Sequence, residues 1–140
     1  MKKELLTILI LVMLLSLIFC GCQSTQVERD DYDHVFESDI VTLTNYSMEL
    51  NENKFGVVSE AIVNGRIENN LDRGDEKVNV VITAKFFDIN DNLLGEKTFT
   101  IIGLRSKGKT GSSTTFTITY EEGNVAQIDH LKLSAVEKTD

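Results

Sequence analysis

Residues 78–87 read Val-Asn-Val-Val-Ile-Thr-Ala-Lys-Phe-Phe, and this stretch decides the fold. Every second position in it is apolar, namely Val78, Val80, Ile82, Ala84 and Phe86. Side chains of a β-strand point alternately to opposite faces, so these five residues share one face of an extended strand. Such a run in register is typical of the centre of a packed sheet. We therefore predict that residues 78–87 form a central core strand.

Five further segments carry a similar alternation, and Asn, Asp and Gly separate them: residues 41–50, 57–69, 93–101, 110–120 and 128–136. Short alternating strands rich in Val, Ile, Thr and Phe indicate an all-β chain, an antiparallel β-sandwich of about six to seven strands. A bend is expected near Asn45. Gly65 lies in mid-strand, where glycine indicates a bulge or a close approach of the backbone to another group.

The N-terminal segment is of a different kind. An apolar run from Leu5 to Phe19 follows two lysines and leads into Cys20-Gly21-Cys22. This order predicts a secretory signal peptide, a helix over residues 1–21 that is removed on export. It resembles the signal of prokaryotic lipoproteins, in which a small residue precedes a cysteine that becomes acylated. That resemblance implies lipidation at Cys22, with Cys20 as the alternative; an uncleaved transmembrane anchor is the competing interpretation.

Charge then limits the partners. The 14 basic residues include Lys2 and Lys3 and the 22 acidic ones include Glu4, so the chain beyond Gly21 carries 12 against 21, a net charge of about −9. Such a surface repels nucleic acid, which we exclude as a partner. Residues 22–39 are acidic and poor in apolar residues, which predicts a flexible tether, although Tyr32, Val35 and Phe36 leave a short strand or a docking element open. The sandwich domain is expected over residues 40–138.

Two groups of residues invite a metal interpretation. Asp88, Asn90 and Asn92 have the spacing with which a calcium loop begins, but Leu93 and Phe99 stand where that loop needs Gly and Glu. A hairpin turn is therefore predicted at residues 88–92. The acidic loop 69–76, with Asp72, Asp75 and Glu76, is the alternative cation site.

Histidines and hydroxyls give no further candidates. His34 falls in the predicted tether and His130 on an outward strand position, too few ligands for zinc. Residues 112–115 are rich in Ser and Thr without a nucleophile motif around them. We therefore predict no enzyme, no catalytic residue, no metal and no cofactor.

The strand sequences also resemble a known family, the FxLYD-type domain of prokaryotic surface lipoproteins. The segments that carry the resemblance are residues 63–70, residues 78–88, Leu94-Gly95, Gly103-Leu104 with the later Gly108, and residues 131–135. Asp88 is identical to the motif, whereas Ala84, Phe86 and Phe87 replace its Phe, Leu and Tyr. The resemblance implies an immunoglobulin-like sandwich of unknown function, and it supplies no catalytic residues.

The expected function is accordingly that of a lipoprotein held on the extracytoplasmic face of the cell membrane, with a non-catalytic binding or structural module. Its partners would be the membrane, through the N-terminal lipid, and a surface or envelope protein. The outward threonines of residues 110–120, together with Val81 and Phe87, are expected to form a partly apolar surface for that protein partner. The alternative function is a receptor for a cation or small solute that uses the acidic loops.

Overall fold

The computed structural model describes residues 27–28 and 34–139. The predicted signal peptide and both cysteines, Cys20 and Cys22, lie outside the described residues. Within these residues, eight strands and one short 3₁₀ turn, Val125–Gln127, follow one another. The strands are β1 (Val27–Glu28), β2 (His34–Glu37), β3 (Val41–Glu52), β4 (Val58–Asn69), β5 (Lys77–Phe87), β6 (Leu93–Arg105), β7 (Ser113–Tyr120) and β8 (His130–Glu137).

The strands form two sheets. The first has the order β1-β3-β4-β7 and the second the order β2-β8-β5-β6. One apolar core receives side chains from both sheets. The described residues contain strands and no α-helix, so the prediction of an all-β sandwich is confirmed for this part of the chain. The predicted antiparallel pairing needs one correction, because β2 runs parallel to β8 while every other described pair is antiparallel.

The core is centred on β5, as its alternation predicts. Val78, Val80, Ile82, Ala84 and Phe86 are each at most 3 % exposed. β5 lies between β8 and β6 in the second sheet, so its inward side chains have apolar neighbours on both sides. The ring of Phe86 stacks on that of Tyr120 from the first sheet, with ring centres 4.4 Å apart. This contact joins the two sheets at the end of the core next to the turn between β5 and β6.

Gly65 permits a second contact in the core. It pairs with Phe116 across β4 and β7. The Phe116 ring covers the glycine so closely that an added Cβ would lie 2.3 Å from its Cζ atom. The predicted close approach at Gly65 is thus confirmed, and the register shift between Leu43 and Asn45 matches the bend expected near Asn45.

The structure differs most from the prediction at the start of the domain. β2 lies inside the range 22–39, for which a flexible tether was predicted. Phe36 pairs with Leu133 and packs against the core, which explains why this short segment is ordered. The short strand left open by Val35 and Phe36 is therefore present, and β1 adds a further pairing with β3 at Leu50.

One further difference concerns the connection from β6 to β7. β6 continues to Arg105 and β7 begins only at Ser113. A tight loop joins them, in which Gly108 and Gly111 adopt positive φ angles of 74° and 89°. The Arg105 amide donates to the Gly111 carbonyl and closes this loop.

Candidate functional site

Asp88 organises the turn between β5 and β6. One carboxylate oxygen accepts hydrogen bonds from the backbone amides of Asn90 (2.8 Å) and Asn92 (2.9 Å), and the other accepts one from Asn92 Nδ2 (2.9 Å). Asp91 has a φ of 62°, in the left-handed region. The predicted hairpin turn is confirmed. Because the side chain and amide of Asn92 donate to the ionised carboxylate, the pKa of Asp88 is held below its ordinary value.

This lowered pKa predicts a dependence of stability on pH. A carboxyl with a depressed folded pKa adds stability above its unfolded pKa of about 4, and that stability disappears as the pH falls through the folded value. We expect Asp88→Asn, which cannot ionise, to lose less stability than the unchanged protein between pH 5 and the acid limit. Urea unfolding at a series of pH values measures this. Asn92→Ala, which removes one donor, should reduce the dependence partway; identical pH profiles for all three proteins would contradict the prediction.

His130 lies on the outer face of the second sheet, as its strand position predicts. Its ring stacks in parallel on Phe87, the residue opposite it on β5, with centres 5.2 Å apart. Nε2 lies 3.1 Å from an oxygen of Asp91 and Nδ1 lies 3.2 Å from an oxygen of Asp129. Both ring nitrogens therefore face carboxylates, and the side chain is only 18 % exposed. This arrangement ties the start of β8 to the turn at residues 88–92.

The backbone of His34 belongs to β2, and its side chain lies outside the described residues.

The acidic loop 69–76 lies beside basic residues. Arg73 makes a two-pronged ion pair with Glu137, with N–O distances of 2.8 and 3.0 Å, and this contact lowers the pKa of Glu137. A depression of about 150 Å³ nearby is lined by Gly74, Asp75, Lys77, Arg105 and Lys109. Sequence reasoning missed this neighbourhood because the basic residues come from β5, from β6 and from the loop between β6 and β7.

The two outer faces of the sandwich differ in chemistry. A shallow groove of about 360 Å³ on the first sheet is lined by Gly65, by Phe116 and by amide, hydroxyl and guanidinium side chains, namely those of Asn45, Ser47, Asn64, Arg66, Thr115 and Thr117. The Thr117 hydroxyl donates to Asn64 Oδ1 at 2.8 Å, and Arg66 donates to the Ser113 hydroxyl at 2.8 Å. These side chains present hydrogen-bonding groups to solvent in rows along neighbouring strands.

The sequence predicted one partly apolar surface formed by the threonines of β7 with Val81 and Phe87, and this prediction is wrong. The threonines of β7 belong to the outer face of the first sheet, whereas Val81 and Phe87 of β5 belong to the second sheet. On the second sheet, a depression of about 210 Å³ is lined by Val35, Glu37, Lys85, Phe87, Lys132, Leu133 and Ser134. Lys132 Nζ lies over the Phe87 ring, 4.7 Å from its centre.

The predicted lipidation residues Cys22 and Cys20 lie outside the described residues. Among residues 27–28 and 34–139, no three His, Cys, Asp or Glu side chains lie close enough together to hold a metal ion. The same part of the chain contains no helix of the length and apolarity needed to cross a membrane. Comparison of the chain with protein-family models, with curated proteins and with solved structures gives no match.

Proposed function

We propose that this protein is a lipoprotein on the extracytoplasmic face of the cell membrane, whose sandwich is a non-catalytic binding or structural module. The observation that carries the proposal is the N-terminal order of two lysines, an apolar run and Gly21-Cys22. In such a lipoprotein, cleavage after Gly21 leaves Cys22 as the first residue, and the Cys22 thiol carries a diacylglycerol. Two acyl chains hold a protein stably at a bilayer, whereas one chain holds it only marginally.

The contacts of the charged residues support a structural role for them. Arg73 is paired with Glu137, Asp88 is held by Asn90 and Asn92, and His130 lies between two aspartates. Each of these groups fixes a loop or a strand end of the sandwich. We further propose that the domain is immunoglobulin-like and of the FxLYD type, which is supported by its two sheets and by the residues 78–88 that resemble the motif.

The binding surface that fits this role best is the groove on the first sheet. Its amide, hydroxyl and guanidinium groups suit a polar ligand or a polar protein surface, since each can donate or accept a hydrogen bond. A surface protein or an envelope component with exposed hydroxyl or amide groups would form hydrogen bonds with these side chains.

Substitution of the cysteines tests the anchor. Cys22→Ser is expected to abolish attachment of the diacylglycerol in a bacterium that processes lipoproteins, because it removes the thiol that directly follows the small residue Gly21. Cys20→Ser is the matched control and should keep the diacylglycerol, since Cys20 follows the bulky Phe19. Intact-mass analysis of the extracted protein should show a chain that begins at residue 22 and carries a diacylglycerol.

Two outcomes would contradict the proposal. A full-length mass with residues 1–21 retained would indicate an uncleaved membrane anchor. Loss of the lipid from Cys20→Ser rather than Cys22→Ser would assign the acyl group to the other cysteine.

A further inference from the structure

Two β-hairpins of different sheets point to the same end of the sandwich. Residues 53–57 connect β3 to β4 in the first sheet, and residues 88–92 connect β5 to β6 in the second. The Tyr120 hydroxyl, at the end of β7, donates a hydrogen bond of 2.9 Å to the Leu94 carbonyl at the start of β6. This bond links the two sheets at this end. β2 also begins here, because His34 pairs with Leu131 at the start of β8. We call this end, with its two hairpins, the entry end.

Large apolar side chains are exposed at both hairpins of the entry end. Phe55 is 77 % exposed and Ile89 is 79 % exposed, and each lies at the tip of its turn. Val57 and Leu93 flank them and are more than half exposed. Single exposed apolar residues are ordinary on a protein surface, but here four of the seven large ones in the described part of the chain belong to two hairpins at one end.

The backbone holds both tips in place. Asn53 Oδ1 accepts hydrogen bonds from the amides of Phe55 and Val57, at 2.9 and 3.2 Å. In the other hairpin, Asp88 holds Asn90 and Asn92 and thereby fixes the loop around Ile89. The two apolar tips are therefore presented to solvent in fixed positions.

The length of chain between the anchor and the sandwich places this end near the bilayer. Val27 pairs with Leu50 of β3, close to the point where β3 ends at Glu52. Only residues 23–26 separate Val27 from Cys22. Five residue steps span at most about 17 Å even when fully extended. A sandwich held through an acylated Cys22 thus has its entry end within reach of the headgroups, far closer than a tether over residues 22–39 would allow.

We infer that the entry end docks on the membrane in which the chain is anchored, with Phe55 and Ile89 inserted at the level of the lipid headgroups. The inference rests on the lipid anchor of the proposed function. Aromatic and branched apolar side chains favour this region of a bilayer, and the anchor raises their effective concentration there. Lys54, whose Nζ lies 5.0 Å from the centre of the Phe55 ring, is placed to meet lipid phosphates.

The charges of the entry end decide which lipids it prefers. Acidic side chains surround the tips, namely Glu52, Asp88, Asp91, Glu121, Glu122 and Asp129. They are repelled by anionic headgroups, so the contact depends on the apolar tips and not on attraction between charges. Docking should therefore occur on zwitterionic lipid and weaken as the fraction of anionic lipid rises at low salt.

Tryptophan fluorescence tests the inference, because the chain contains no tryptophan. Phe55→Trp places the only indole at the entry end, and Ile102→Trp is the matched control, since Ile102 is 81 % exposed on β6 and lies away from both hairpins. Each full-length gene is expressed in a lipoprotein-processing bacterium, and the membrane-extracted protein is reconstituted into phosphatidylcholine vesicles with a fraction of brominated lipid.

We expect at least a threefold stronger quenching in Phe55→Trp than in Ile102→Trp, with emission shifted to shorter wavelength. Adding Ile89→Ser to Phe55→Trp should reduce the quenching. Equal quenching of the two indoles, or quenching that strengthens with phosphatidylglycerol, would overturn the docking.

The mass of the same samples keeps the two proposals distinct. A diacylglycerol at Cys22 with equal quenching refutes the docking alone. A chain without the lipid refutes the proposed anchor, whatever the fluorescence shows.

Discussion

Phe86→Ala is expected to lower the free energy of unfolding by about 4 kcal/mol. Phe86 is fully buried, and its ring stacks on Tyr120 across the two sheets. Truncation removes this contact and leaves a cavity that neighbours on β5, β6 and β8 cannot fill, because all are held in register by backbone hydrogen bonds. Urea unfolding followed by far-ultraviolet circular dichroism measures the loss.

The chain offers a matched control for this substitution. Phe55→Ala deletes the same ring from an exposed hairpin tip, and we expect a change of less than about 0.5 kcal/mol in the free energy of unfolding. Comparable losses in the two variants would contradict a stabilising role for the burial of Phe86 between the two sheets.

Gly65→Ala is expected to cost about 2 kcal/mol, although alanine normally stabilises a strand relative to glycine. The added Cβ would lie 2.3 and 2.5 Å from two carbons of the Phe116 ring, and Phe116 is itself buried. The ring or the β4 backbone must therefore shift, and both are held by the pairing of β4 with β7. Thermal and urea unfolding measure the change.

A control and a second variant separate this steric cause from a general effect of losing glycine. Gly123→Ala meets no atom within 4 Å and should leave stability nearly unchanged. In a double-mutant cycle, Phe116→Leu should reduce the cost of Gly65→Ala, because the shorter side chain vacates the space. Additive costs would contradict a clash between these two residues.

The sequence predicted the core strands because burial leaves a local signature. Alternation along β5 reports the two faces of one strand, and the turn at Asp88 follows from an aspartate that bonds the amides after it. β2 was left open as an alternative to the predicted tether, for the opposite reason. Its order depends on pairing with β8, about a hundred residues away, and two apolar residues carry almost no local signal for that contact.

The same reasoning explains what was missed around the sites. Alternation says which residues share a face of one strand, but it does not say which strands share a sheet. The threonines of β7 and Val81 of β5 were therefore assigned to one surface although they belong to different sheets. The contacts of His130 with Asp91 and Asp129 bring a strand and two loops together, and no spacing of residues in the sequence predicts these contacts.

The parallel pairing of β2 with β8 has a mechanical consequence. When the molecule is held at the N-terminal end of β2 and pulled at the C-terminal end of β8, the two strands are pulled in opposite directions along their length. The hydrogen bonds between His34–Glu37 and residues 131–134 then resist sliding together, in shear, instead of opening one after another. Four residues near the start of the domain thus act as a clamp that keeps a pulled sandwich folded.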